Sequence, residues 1–209
     1  MATSIPAKVQ LLQAILTDLN KRFNIPGLRW VGFSQRGGAQ IWALTGEVRI
    51  EKKFLANLSA PALKMVAAHE AGHARSKRAR RMQTLLLAES WQLGLFMSAL
   101  ALMLADLPLA SGVLGCSALL RGLDLWSRQG QDWEEEVRAD AFSAYYCGGL
   151  PAWTAAMQDA LNHTAPARQA ALRIRQRALQ ELDQRGLLEA VALHPGRPFP
   201  RLQALRGLR

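Results

Sequence analysis

Two cysteines are all this 209-residue chain has, and Cys116 and Cys147 stand apart among apolar neighbours. No paired-cysteine spacing exists, which excludes a disulfide framework and a cysteine-ligated metal and fits a reducing compartment. Acidic side chains are also few, 16 against 26 lysines and arginines, for a formal net charge of +10 and a pI near 10.6. Such a surplus suits an anionic neighbour such as phospholipid headgroups or nucleic acid, and solvated basic helix faces account for it equally well. Residues 1–23 lack a basic n-region and an apolar h-region. They carry an amphipathic pattern at Val9, Leu12, Ile15, Leu16, Leu19 and Phe23 instead, so no secretory signal is expected and the active site is expected to face the cytoplasm. No internal repeat or low-complexity tract occurs, and half of the residues are hydrophobic. The expectation is one domain over 1–209 with a real core.

What is there is His69-Glu70-Ala71-Gly72-His73. It lies in the run Ala60 to Arg81, which has the features of a helix: Ser59 can cap it, and Pro61 is tolerated in a first turn whose N–H groups lack intrahelical partners. Histidines four apart lie one above the other on a single helix face, so both imidazoles can reach one cation, with Glu70 emerging beside them. In the H-E-x-x-H reading the two histidines bind zinc and the glutamate deprotonates a water. A lone histidine on an apolar helix is usually a satisfied core residue, and Leu63, Val66 and Ala67 do form an apolar stripe here. Three ionisable groups on such a helix would each cost free energy unless paired, and a cation resolves that conflict.

The flanking chain supplies a setting. After a first helix ending near Asn24 and a turn at Pro26-Gly27, the segments Leu28 to Phe33, Ala39 to Leu44 and Glu47 to Ile50 read as a small antiparallel sheet, with turns at Arg36-Gly37-Gly38 and Thr45-Gly46. An edge strand beside a zinc helix can hold a peptide extended through main-chain hydrogen bonds. Past His73, the basic cluster Arg75, Lys77, Arg78, Arg80 and Arg81 reads as a solvated helix end. Residues 84–126 then form two apolar stretches broken at Asp106-Leu107-Pro108. With Trp91, Trp126 and Arg128 beside Arg80 and Arg81, they resemble a hairpin touching lipid. Each apolar run is shorter than the roughly 20 residues a span requires, so a buried helical pair in a soluble core fits as well.

A catalytic zinc wants three protein ligands and an open position. The residue six after His73 is Ala79, so no third histidine is in place, and a glutamate is expected. Glu136 and Asp140 share a helix face by the i, i+4 rule, so one can ligate while the other accepts an imidazole N–H and sets its tautomer. Glu89 competes by sequence distance from within the apolar segment.

The HEAGH helix, the apolar hairpin, the segment ending in Glu136-x-x-Ala139-Asp140 and the terminal His194-Pro195 followed by Arg201-Leu202-x-x-Leu205 resemble the HtpX and CAAX prenyl protease family of zinc metallopeptidases, from about Ala39 onward. The resemblance implies an α+β, mostly helical fold with a zincin-like, minigluzincin core. It implies a gluzincin endopeptidase with His69, His73 and Glu136 on zinc, Glu70 as general base, Asp140 supporting a ligand and His194 near the site. The approach to the edge strand, Leu44 to Gly46, departs from the family's usual pattern.

The remaining chain reads as a short helix over Trp153 to Leu161 and an arginine-rich one over Pro166 to Arg185, closed by Gly186. Arg168, Arg173, Arg175 and Arg177 are expected on a solvated face, since no nucleic-acid module accompanies them; no nucleic-acid partner is expected. The oxyanion donor is open among Tyr145, Tyr146 and His194. Two other classes are carried: a zinc or membrane-associated interaction protein without hydrolysis, and a basic nucleic-acid-binding regulator in which HEAGH is accidental.

Overall fold

The fold is known from a computed structural model that describes residues 4–25, 27–35, 38–42, 45–76, 131–163 and 166–206. Helices dominate, with a small mixed sheet beside them. Helix α1 (Ile5–Phe23) starts where Ser4 accepts a hydrogen bond from the Ala7 N–H at 3.4 Å and stops at Asn24, whose φ of 48° turns the chain left-handed. Its stripe of Leu12, Ile15, Leu16 and Leu19 is buried, as an amphipathic helix with a 3.6-residue period requires.

Strands β1 (Arg29–Ser34), β2 (Ala39–Trp42) and β3 (Glu47–Glu51) form a sheet of order β1-β3-β2. The β2–β3 pair is antiparallel as expected, but β1 runs parallel to β3 and does not pair with β2. The expected all-antiparallel sheet is therefore corrected to a mixed one. The cause lies in which strand has most to bury: Val48 and Ile50 of β3 are fully enclosed, whereas β1 alternates between exposed and half-buried positions and is broken by a register shift between Trp30 and Gly32. The strand with two enclosed side chains takes the centre, and the irregular one takes an edge. The strand immediately before the HEAGH helix is thus central, and the edge near that helix belongs to β2.

A six-residue helix α2 (Lys52–Asn57), too short to show in the sequence pattern, leads to α3 (Ala60–Arg75). Lys8 from α1 closes the end of α2 by donating to the Ala56 and Leu58 carbonyls at 2.7 and 2.6 Å, a cation on the negative end of a helix. Ser59 caps α3 as expected, accepting from the Ala62 N–H at 3.3 Å. The helix stops at Ser76, earlier than the expected Arg81. Arg75 is not a solvated helix end. Its guanidinium stacks on Phe142 at 4.4 Å and donates to the Ala192 and Leu193 carbonyls.

Helices α4 (Gln131–Cys147), α5 (Leu150–Leu161), α6 (Pro166–Gln184) and α7 (Leu188–Leu193) complete the described chain, with a 3-10 turn at Gln203–Leu205. Helix α3 is the hub, packing against α1, β2, α4 and α5. Ala67, Ala71 and Ala74 of α3 and Ala141 and Ala144 of α4 are buried in one core with Phe142 and Trp153. No described helix is long and apolar enough to cross a membrane. The expected apolar hairpin over 84–126, with Glu89 and Cys116, lies outside the described residues.

Candidate metal centre

The site grows out of how closely α3 and α4 approach. Gly72 is the residue that lets them meet: a Cβ at that position would lie 2.7 Å from the Ala139 Cα. Further along both helices, Ser143 donates to the Met65 carbonyl at 2.8 Å, both groups buried. With the two helices locked at these points, His69 and His73 on α3 face Glu136 and Asp140 on α4.

His69 Nδ1 lies 2.8 Å from Asp140 Oδ1. An ionised carboxylate only accepts, so Nδ1 carries the hydrogen and Nε2 presents its lone pair on the other side. That Nε2 stands 3.1 Å from His73 Nε2 and 3.5 Å from Glu136 Oε2, and His73 Nε2 is 3.4 Å from Glu136 Oε1. A tetrahedral metal about 2.0–2.1 Å from each donor separates its ligands by roughly 3.3 Å. The three side chains thus already stand at the spacing a zinc-sized ion demands, and they form a group able to hold one. Two imidazoles and a carboxylate are also a donor set that zinc favours.

Electrostatics agree with a site built around a cation. Without one, burial would push the His69 imidazole down, but the Asp140 carboxylate outweighs it and carries the pKa up to about 10. Glu70 is 7 % exposed, and burial raises its pKa against the pull of both histidines. Burial pushes both acids up, yet Glu136 is held well below the usual carboxylate range by its hydrogen bonds to the two histidines, and the charges of Arg175 and His69 outweigh burial to lower Asp140.

Arg175 is the site residue that sequence reasoning missed. It was expected on the solvated face of α6, and Arg173 and Arg177 are indeed exposed there. Its own side chain is only 13 % exposed and reaches both acids: Nε and Nη2 to Asp140 at 2.5 and 2.6 Å, Nη1 to Glu136 Oε2 at 2.7 Å. The signal was present in the helical period, because Arg175 stands in line with Leu172, Ala178, Leu179 and Leu182, the face that packs inward.

Beside the imidazoles a cavity of about 240 Å³ opens between β2, α3, α5 and α6. Its polar lining is His69, Glu70, Asp140 and Arg175, and Phe54, Met65, Val66, Met157, Ala160 and Leu172 are among its apolar lining. Gly38 and Ala39 at the start of β2 border it, and among the described residues β2 is paired on one side only.

Among the described residues, the other expected participants are not part of the metal-holding group. His194 is exposed where α7 ends, with its N–H bonded to the Ala190 carbonyl, and it belongs neither to the metal-holding group nor to the cavity lining. Tyr146 donates to Asp18 at 2.8 Å, and Tyr145 is exposed; neither lines the cavity.

No curated protein and no solved structure matches this chain. A family model does match, over residues 6–209, and nearly the whole chain is covered. With its two histidines and a distant glutamate gathered at metal-binding distance, the chain belongs to peptidase family M48, the family of HtpX- and CAAX-protease-like metallopeptidases.

Proposed function

We propose that this chain is a zinc-dependent endopeptidase of the gluzincin type. His69, His73 and Glu136 hold the metal, Asp140 sets the His69 tautomer and Glu70 is the general base. The single observation that carries the reading is the 3.1–3.5 Å spacing of the three donors, two from α3 and one from α4. An accidental pentad on a nucleic-acid-binding helix would not meet an acid 63 or more residues away at that distance, and intact Glu70 lining the cavity argues against a silent metal protein.

Bound zinc supplies a Lewis acid for the scissile carbonyl and acidifies water. The chain's own residues do the rest. Glu70, enclosed and raised in pKa, takes the proton of the attacking water and hands it to the leaving amine, a transfer suited to a carboxylate tuned toward neutrality. The substrate lies extended beside β2, held through main-chain hydrogen bonds. One of its side chains enters the cavity, whose walls accept an apolar group.

The test is metal analysis of the purified chain together with cleavage of a casein-type substrate by wild type, Glu70→Gln and Glu136→Ala. Wild type should carry about one zinc and cleave, Glu70→Gln should carry zinc without cleaving, and Glu136→Ala should lose the metal. Full cleavage by Glu70→Gln, or a metal-free wild type, overturns the reading.

A further inference from the structure

The geometry points to Arg175 as a positioning residue of the metal centre: one guanidinium clamps Glu136 and Asp140 together so that a ligand and the partner of His69 keep their places before the metal arrives. The inference rests on the metal reading above.

Glu136 and Asp140 are four apart on α4, where like charges repel. Asp140 is 1 % exposed, and a buried carboxylate without a partner is costly. The planar fork of an arginine can answer both, since it presents several donors in fixed directions. Its three nitrogens are all spent this way, two on Asp140 and one on Glu136 Oε2.

Asp140 Oδ1 in turn accepts from Arg175 Nη2 and from His69 Nδ1. Nη2 and Nδ1 lie 3.2 Å apart; both being donors, they are held near one another by the shared acceptor. The rotamers of Glu136, Asp140 and His69 are thus tied to a single side chain from a third helix. A lysine, with one ammonium nitrogen, would reach one carboxylate well or both poorly. The arrangement also balances charge: with a dication on the donors and Glu70 ionised, the group around Arg175 is neutral.

The measurement is zinc affinity, by chelator competition on metal-stripped protein, for wild type, Arg175→Gln, Arg175→Lys and Arg177→Gln. Loss of a group that orients metal ligands costs about 10–100-fold in affinity. Arg175→Gln should fall in that range and Arg175→Lys between it and wild type. Arg177→Gln removes the same charge from the exposed face of α6 and should bind within about twofold of wild type, which separates the clamp from general electrostatics. Cobalt substitution gives a second readout, because a ligand released from its clamp changes the visible d–d bands of the Co(II) site even when the metal is saturating.

If Arg175→Gln does not fold, Arg175→Lys decides. Zinc binding by Arg175→Lys equal to wild type, an Arg177→Gln loss as large as that of Arg175→Gln, or an Arg175→Lys chain that fails to fold without metal would each overturn the assignment, the last by making the arginine a structural tie. A wild-type chain that binds no zinc defeats the peptidase reading itself, an outcome distinct from these.

Discussion

Gly72 and Ala139 are the pair on which the metal centre is set: α3 and α4 approach so closely that a methyl group on Gly72 would stand 2.7 Å from the Ala139 Cα and 3.1 Å from its Cβ. The neighbouring atoms are backbone and a methyl, neither of which can swing aside. Gly72→Ala should therefore force the helices apart and cost about 1–3 kcal/mol in stability. Because His69 and Glu136 sit on opposite sides of that contact, zinc affinity should fall as well. Denaturant unfolding with and without zinc checks both, and a variant of wild-type stability and affinity would show that the helices can shift without consequence.

Glu70→Gln keeps the size of the side chain and removes its ability to take a proton. Turnover should drop by about 10²–10⁴-fold while zinc content stays at the wild-type level, measured by metal analysis on the same preparation used for the assay.

Asp140→Asn should act through His69. An amide can still accept at one atom but cannot balance Arg175, and it can present its donor to Nδ1 and select the wrong tautomer. A loss of about 10–100-fold in zinc affinity is expected, read by the same chelator competition.

For the metal-free protein the pH dependence has a definite sign. The His69 pKa lies at about 10 in the folded chain because Asp140 outweighs burial, against an unfolded value near 6.5. The stabilisation from this imidazolium is complete below pH about 6.5 and is lost as pH rises toward about 10. Chelator-treated protein should therefore become less stable to urea across that window. Zinc affinity should rise over the same range, since the proton competing for the site is removed. A flat stability profile between those limits would contradict the pairing.

Ala160 and Leu172 line the cavity beside Glu70. Ala160→Phe should fill space that an apolar substrate side chain would use, and shift cleavage toward sites with small residues. Profiling the products of a mixed peptide library by mass spectrometry compares the variant with wild type. An unchanged profile would place the substrate elsewhere.

Which of these features the sequence announces depends on the distance over which each is determined. His69 and His73 share a face, with Glu70 beside them, because of helix geometry alone, and Ser59 and Pro61 mark the start of that helix for reasons confined to one turn. The same local logic puts Glu136 and Asp140 together. Arg175 was misread because its neighbours Arg173 and Arg177 are exposed; its own position on the inward face of α6 was legible in Leu172, Leu179 and Leu182, but the acids it serves lie 35 and 39 residues earlier. The sheet was misordered because strand pairing is a contest over burial, and Val48 and Ile50 win the centre only within the core they share with residues of α1 and α3.

By itself, then, the sequence determined the local parts: two imidazoles and a base on one helix, two acids four apart on another, and the caps that frame α1 and α3. These follow from backbone periodicity and hydrogen bonding within a few residues. Only the tertiary structure decided that Gly72 and Ala139 would bring the two helices into contact and that Arg175 would join them from a third. Those outcomes depend on side-chain volume and buried charge meeting across segments far apart in the chain, which no local pattern encodes.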